Sequence, residues 1–328
     1  VNGRAALAAG LWLAAAAPAG AYQRDEHYFT VHLALASLRP RIEGEDVVAF
    51  CAQLADEAPE LNAIQAYERL MRHPLDYAAW SMGGRGSDAN VGRMVTIQQL
   101  LHGLTGGAPA AVRVVATAAA RASLSEVEAA RGDPARRTDA LCALGFALHL
   151  YGDSFAHRRI KNPRRMYQTG IGHLFDASKP DFPLARLALW REYVGSLRTL
   201  FPSASAETLD PLLASAEEPS RSARSANAYG RGELIRLETA ELVRRGASPA
   251  PMPINAAKVP CQPLADAYAA RRGWKSAPSC ERAWALYRRE AEEALAAYDA
   301  EPAHAGEPSR PDCARSFYDG PLFDGGAR

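Results

Sequence analysis

Three side chains able to bind a metal ion stand four residues apart in the run 141–159: His149, Asp153 and His157. On a helix, at about 100° per residue, they fall within an arc of about 80°, and a rise of about 1.5 Å per residue sets the outer pair about 12 Å apart. They share one face. Zinc ligands approach their ion to about 2.0–2.2 Å, so His149 and His157 would serve different ions, while Asp153 could reach either. The spacing therefore points to a multinuclear site, whose chemistry is the activation of water beside a neutralised negative charge. Taken singly, a His among Ala and Leu is an ordinary hydrogen-bonded core residue. The company argues for coordination: His102, His149, His157 and His173 all lie in segments that read as buried helix or its immediate exit. Several buried ionisable groups are costly unless they pair or bind metal.

Two other chemistries start from the same run. Gly152, Asp153 and Ser154 spell the nucleophile block of GDS-type esterases, but that block follows a strand and is completed by a DxxH nearer the C-terminus, which this sequence lacks. Ser154 then reads as a helix-surface or supporting hydroxyl. The basic run 157–165 reads as a solvated helix exit or as a phosphate-attracting rim beside the site. HExxH and paired ExxH motifs are both absent, which removes two common helical metalloenzyme templates.

The elements that must carry these groups are helices. Apolar residues recur at three-and-four spacing over 27–38, 45–55, 61–72, 92–104, 111–120, 125–130, 137–159, 184–201, 232–245 and 280–300, in segments rich in Ala, Leu and Arg. Strand patterns are scarce, so the fold class is all-α, a multi-helix bundle. At 328 residues and 48% hydrophobic, the chain can bury one large core, alone or with an extension. Its net charge of +1 argues against nucleic-acid binding through bulk electrostatics. The run 247–254 reads as a linker or wrapping loop and the tail after Ala300 is rich in Pro, Gly and Asp. Trp284, Leu286, Tyr287, Ala291, Leu295 and Tyr298 form the packing face of the last helix.

The N-terminus has the form of a secretory signal: Arg4, an apolar stretch from Ala5 to Ala17, and Ala19, Gly20 and Ala21 as a small-residue cleavage site. A hydrophobic N-terminal helix kept in the fold is the alternative. The expected division is a signal peptide over 1–21, a helical metal-binding domain over 22–246, and a Pro-rich linker, C-terminal helix and tail over 247–328, in a periplasmic or secreted protein with no transmembrane segment in the mature chain. Cys51 and Cys142 read as small core residues, whereas Cys261, Cys280 and Cys313 lie where a disulfide could form with no deducible pairing.

Around His149 the sequence resembles the superfamily of zinc-dependent phospholipases C and single-strand-specific nucleases. The resemblance is carried by HxxxD on an apolar helix, by a further His behind it, and by His173 twenty residues after Asp153. It is closest to uncharacterised bacterial members with the patterns LHxxxDxFAH, here Leu148 to His157, and GHxxxxxxPD, here Gly172 to Asp181. The segment from His27 to Leu38 is similar to the family's first helix, and the whole resemblance spans Tyr22 to Asp181. It implies an all-helical fold with up to three zinc ions in a cleft. Asp56, His102, His149 and Asp153 would surround the first ion, with Asp153 bridging to a second held by His27 and by the amine of Tyr22 after signal cleavage. His157 and His173 would hold the third with a carboxylate; the family's position is Ala177 here, which leaves Asp176 or Asp181. Asp56 and Asp153 would be the catalytic carboxylates, Asp56 orienting the water. The implied substrate is a small-molecule or lipid phosphoester, with nucleic acid only as a substrate. On their own residues, Asp56 reads equally as a solvated helix-end acid with Glu57 as rival, and His102 equally as a helix cap before Gly103. His32, His73 and His304 read as packing, loop and disordered tail.

Overall fold

In a computed structural model of the protein, the described residues are 25–81, 89–170, 172, 176, 179–202, 204–217, 220, 227–252, 259–304 and 322. The expected signal peptide and Tyr22, His173 and Cys313 lie outside them. The fold is α-helical, with one antiparallel pair of two-residue strands, β1 (Leu38–Arg39) and β2 (Ser205–Ala206), among the described residues. In chain order the helices are α1 (Asp25–Ala36), α2 (Glu45–Glu57), α3 (Ala63–Met71), α4 (Pro74–Ser81), α5 (Ala89–Thr96), α6 (Pro109–Ala129), α7 (Pro134–Ala156), α8 (Leu187–Leu197), α9 (Asp210–Ser215), α10 (Asn227–Arg244), α11 (Cys261–Arg272) and α12 (Cys280–Ala300).

Helix α7 is the axis of the bundle. Asp133 caps its N-terminus by accepting from Ala135 N and Arg136 N at 3.1 Å, and Pro134 occupies the first helical position, where its missing N–H is no loss. From Asp139 to Ala156 every residue is buried, as expected of a helix that is apolar all round. Helices α2, α6 and α12 pack along it, with α8 and α1 near its C-terminal half. Two glycines permit this crowding. A Cβ at Gly145 would lie 2.5 Å from Val48 O and 2.6 Å from Cys51 Cβ, so α2 and α7 meet there almost backbone to backbone. A Cβ at Gly152 would lie 2.9 Å from the Tyr193 hydroxyl and 3.1 Å from His27 Cε1.

Several expectations are corrected. Cys51 and Cys142 are buried, yet they are joined to each other as a disulfide between α2 and α7; the disulfide expected in the C-terminal third forms between Cys261 and Cys280, at the starts of α11 and α12. The segments 111–120 and 125–130 form the single helix α6, because nothing between them breaks a helix and Ser123 is buried in its face. α11, in a stretch absent from the expected helices, is closed by Gly273 at φ 70°. His304 lies in a 3₁₀ turn and stacks on Tyr298 at 3.7 Å.

The C-terminal segment returns to the bundle. Ala250 N donates to Tyr28 Oη, and Gln53 exchanges two hydrogen bonds with the Met252 backbone, so the stretch before α11 wraps α1 and α2. Tyr268 stacks on Phe50 at 4.2 Å, and the Tyr287 hydroxyl donates to Leu100 O. Among the described residues no helix is long and apolar enough to cross a membrane.

Candidate metal centre

Four segments converge on Asp153. Helix α7 supplies His149 and Asp153, α1 supplies His27 from its first turn, α2 supplies Asp56 from its last turn, and His102 closes a π-helical turn over Ile97–Leu101 that continues α5. The extra residue in that turn lets His102 N reach Ile97 O, and Gly103 at φ 61° turns the chain away. Single-turn π segments often sit at functional positions because they re-aim one side chain.

The five side chains are 0–2% exposed. Asp153 Oδ1 lies 3.2 Å from His27 Nε2, whereas Oδ2 lies 3.2 Å from His149 Nε2, 3.3 Å from His102 Nδ1 and 3.6 Å from His157 Nδ1. Its two oxygens therefore face different sets of imidazoles, which is what a carboxylate shared between two ions requires. Asp56 lies 3.7 Å from His102 Nδ1 and 3.9 Å from His27 Nε2. Two overlapping triads have their ligand atoms within 4.8 Å of one another: His27, Asp56 and His149; and His102, His149 and Asp153.

Hydrogen bonds outside the cluster fix which nitrogens face inward. His149 Nδ1 is 2.8 Å from Ala52 O, and His102 Nε2 is 2.9 Å from Leu61 O. A carbonyl can only accept, so both of those nitrogens carry protons. In the neutral rings the inward nitrogens, His149 Nε2 and His102 Nδ1, hold lone pairs, and they are 3.1 Å apart. Two lone pairs that close repel unless a proton or a metal cation lies between them. Two ligands of a tetrahedral zinc, each at about 2.0–2.1 Å, would be about 3.3 Å apart, so the separation suits a shared ion. A backbone carbonyl on the far nitrogen is the usual device that orients a ligating His.

The electrostatics of the ion-free chain agree. Burial alone would raise the Asp153 carboxyl, but the charges of His157 and His149 and hydrogen bonds from His102 and His149 hold it well below the ordinary range. Burial likewise opposes charge on His102, yet the hydrogen bond to Asp153 and the Asp56 charge raise its pKa; burial and the neighbouring His27 push His149 down. Adjacent imidazoles shifted in opposite directions describe a place that takes one positive charge.

The other expected ligands fall outside the triads. His157 follows the last residue of α7, and its Nδ1 donates to His102 O at 2.6 Å. Asp176 accepts from the Tyr167 hydroxyl at 2.6 Å, and burial with that bond raises the Tyr167 pKa to about 12. Asp181 is buried in a 3₁₀ turn. Asp56 is buried rather than solvated, and Glu57 beside it is buried as well but belongs to neither triad. The basic run is partly consumed locally: Arg158 stacks over Phe155 and pairs with Glu192, and Arg159 donates to Met166 O. The contributions of Ala52 O, Leu61 O and Gly152 had no side-chain signal in the sequence.

The buried His and Asp groups can hold a metal ion. Comparison with family models, with curated proteins and with solved structures gave no match.

Proposed function

We propose that this protein is an exported zinc-dependent hydrolase of phosphoester bonds, built on a fold like that of the zinc-dependent phospholipases C and single-strand-specific nucleases. The observation that carries the reading is the pair of inward nitrogens of His102 and His149, 3.1 Å apart, beside a carboxylate whose two oxygens address different imidazoles. A nitrogen-rich set completed by carboxylates suits zinc among the divalent ions. Zinc held there supplies a Lewis acid that acidifies water and counters charge developing on a phosphoryl group. His27, His102, His149, Asp56 and Asp153 would hold it, and Asp56 would orient the attacking water. His157, His173 and Asp181 or Asp176 would form the neighbouring site, and Tyr22 would complete the His27 side through its free amine after signal cleavage. The two disulfides support an oxidising compartment such as the periplasm or the exterior.

A non-catalytic zinc-binding envelope or interaction protein of the same fold is the second reading, favoured by the near-complete burial of all five donors. A closed four-ligand site has no position for substrate. The deciding experiment is metal analysis of the purified protein followed by assays on bis(p-nitrophenyl) phosphate, phosphatidylcholine and single-stranded nucleic acid. Two to three zinc equivalents with chelator-sensitive hydrolysis of one of these establishes the hydrolase. Bound zinc with no hydrolysis selects the second reading, and absence of bound metal after expression with zinc supplied overturns both.

A further inference from the structure

One covalent link lies within two helical turns of the metal centre and outside its ligand set. Cys51 on α2 is joined to Cys142 on α7, with Cα atoms 5.1 Å apart and both residues fully buried. Immediately beyond it, α2 and the turn that follows make three contributions to the centre in succession. Ala52 O accepts from His149 Nδ1 at 2.8 Å, Asp56 stands 3.7 Å from His102 Nδ1, and Leu61 O accepts from His102 Nε2 at 2.9 Å. Helix α7 carries His149 and Asp153. The disulfide thus fixes the element that orients two imidazoles and supplies one carboxylate against the element that supplies His149 and Asp153.

We propose that Cys51 and Cys142 are positioning residues for the metal centre, and that metal affinity depends on the oxidation state of their disulfide. The inference rests on the reading that the His and Asp cluster binds zinc. The contact at Gly145 explains the sensitivity. A Cβ at Gly145 would lie 2.5 Å from Val48 O and 2.6 Å from Cys51 Cβ, so the helices approach closely beside the disulfide, and the covalent link fixes their register at this level. A shift between α2 and α7 stretches the hydrogen bond from His149 to Ala52 O, frees that imidazole to rotate, and moves Asp56 relative to Asp153. Ligand sites lose about ten- to a hundredfold in metal affinity when such orienting partners are lost.

A dithiol reductant would act by exchange. Its thiolate attacks one cystine sulfur and the Cys51–Cys142 bond breaks, with the electron pair leaving on the other sulfur; the second reductant thiol then resolves the mixed disulfide. The protein gains two electrons and two protons as two thiols, and the reductant leaves as its own disulfide. The second disulfide, Cys261–Cys280, joins α11 to α12, contributes no contact to the cluster, and serves as the internal control.

The test is a zinc titration, by competition with a chromogenic chelator, of the full chain beginning at Tyr22. Compared are the wild type, Cys51→Ala with Cys142→Ala, and Cys261→Ala with Cys280→Ala. The first pair should weaken zinc binding at least tenfold and the second pair less than twofold. As a safeguard against a variant that does not fold, zinc is also titrated into wild-type protein unfolded, reduced and refolded in a phosphine, with loss of the Cys51–Cys142 bond verified by thiol alkylation and helicity followed by circular dichroism. Reduction should weaken zinc binding to the same extent while helicity is kept. Equal zinc affinity in the oxidised and reduced forms overturns the proposal, as does equal weakening by both variant pairs, which would reflect general destabilisation. If the oxidised wild type binds no zinc, the metal reading itself fails, a result distinct from zinc binding that ignores the disulfide.

Discussion

The residue that organises the centre is Asp153, and its neighbour Ser154 is the control. Ser154 is fully buried and donates to Tyr151 O at 2.6 Å, a back-bond within α7 that leaves no nucleophile presented to a substrate. Asp153→Asn should therefore remove more than one zinc equivalent and abolish phosphoesterase activity, whereas Ser154→Ala should leave metal content and turnover nearly intact. Loss of activity in the serine variant with the aspartate variant active would return the case to a serine esterase. A second residue gives a pH dependence away from the metal. Glu238 on α10 is fully buried; it accepts from Thr30 at 2.8 Å, and Trp190 Nε1 donates in turn to Thr30 at 3.3 Å. Burial, aided by the nearby Asp25 charge, pushes its pKa up to about 8, against 4.5 in the unfolded chain. A raised acid favours folding fully below pH 4.5, and that contribution is lost as pH rises through about 8. Glu238→Gln should match the wild type near pH 4 and exceed it by a few kcal/mol, as an order of magnitude, above pH 8. Denaturant unfolding at the two pH values checks this, and a pH-independent difference would refute it.

At the scale of elements, two glycines on α7 set how closely its neighbours approach. Gly152→Ala would bring a methyl to within 3.1 Å of His27 Cε1 and 2.9 Å of the Tyr193 hydroxyl. Overpacking of this kind costs about 1–3 kcal/mol, and here it should also lower zinc content, because His27 must move. Gly145→Ala meets backbone at Val48 O, which cannot swing aside, and should be the more damaging for folding. Melting temperature and zinc per chain separate the two effects. The disulfides differ in the same spirit. Cys51–Cys142 closes 91 residues and Cys261–Cys280 only 19, so on loop-closure entropy they contribute about 4–5 and about 3 kcal/mol.

For the whole molecule, the centre lies where α1, α2, α7 and the π turn after α5 meet, so metal binding and tertiary packing are linked. Zinc that binds only the folded chain stabilises it by about 4 kcal/mol at a free concentration a thousand times its dissociation constant. Chelation should therefore lower the melting temperature by several degrees. An unchanged melting temperature after removal of demonstrably bound zinc would place the ion outside the cluster. The C-terminal region contributes to the same core: Asp139 on α7 accepts from Ser279 N and Arg282 Nε, and Tyr287 reaches the π turn behind His102. Truncation ahead of Cys280 should therefore cost zinc binding as well as stability.

The sequence by itself determined the helical class, because three-and-four apolar spacing is a local property of each segment. It also determined that His149 and Asp153 share a face, since the geometry of one helix follows from residue spacing alone. The join between the segments 111–120 and 125–130 was missed for want of a breaker to look for, and α11 was hidden by the prolines around it. The convergence of His27, Asp56 and His102 on that face was legible only through resemblance, because residues on separate helices have no periodicity in common. Tertiary structure alone decided the rest. The disulfide partner of Cys51 lies 91 residues away, the π turn that aims His102 leaves no periodic trace, and the carbonyls of Ala52 and Leu61 belong to backbone that any side chain could carry. Which nitrogen of His149 and of His102 faces inward is settled by those carbonyls, and so by how α2 and the turn after it lie against α7 and the π turn, a relation between surfaces that no single segment encodes.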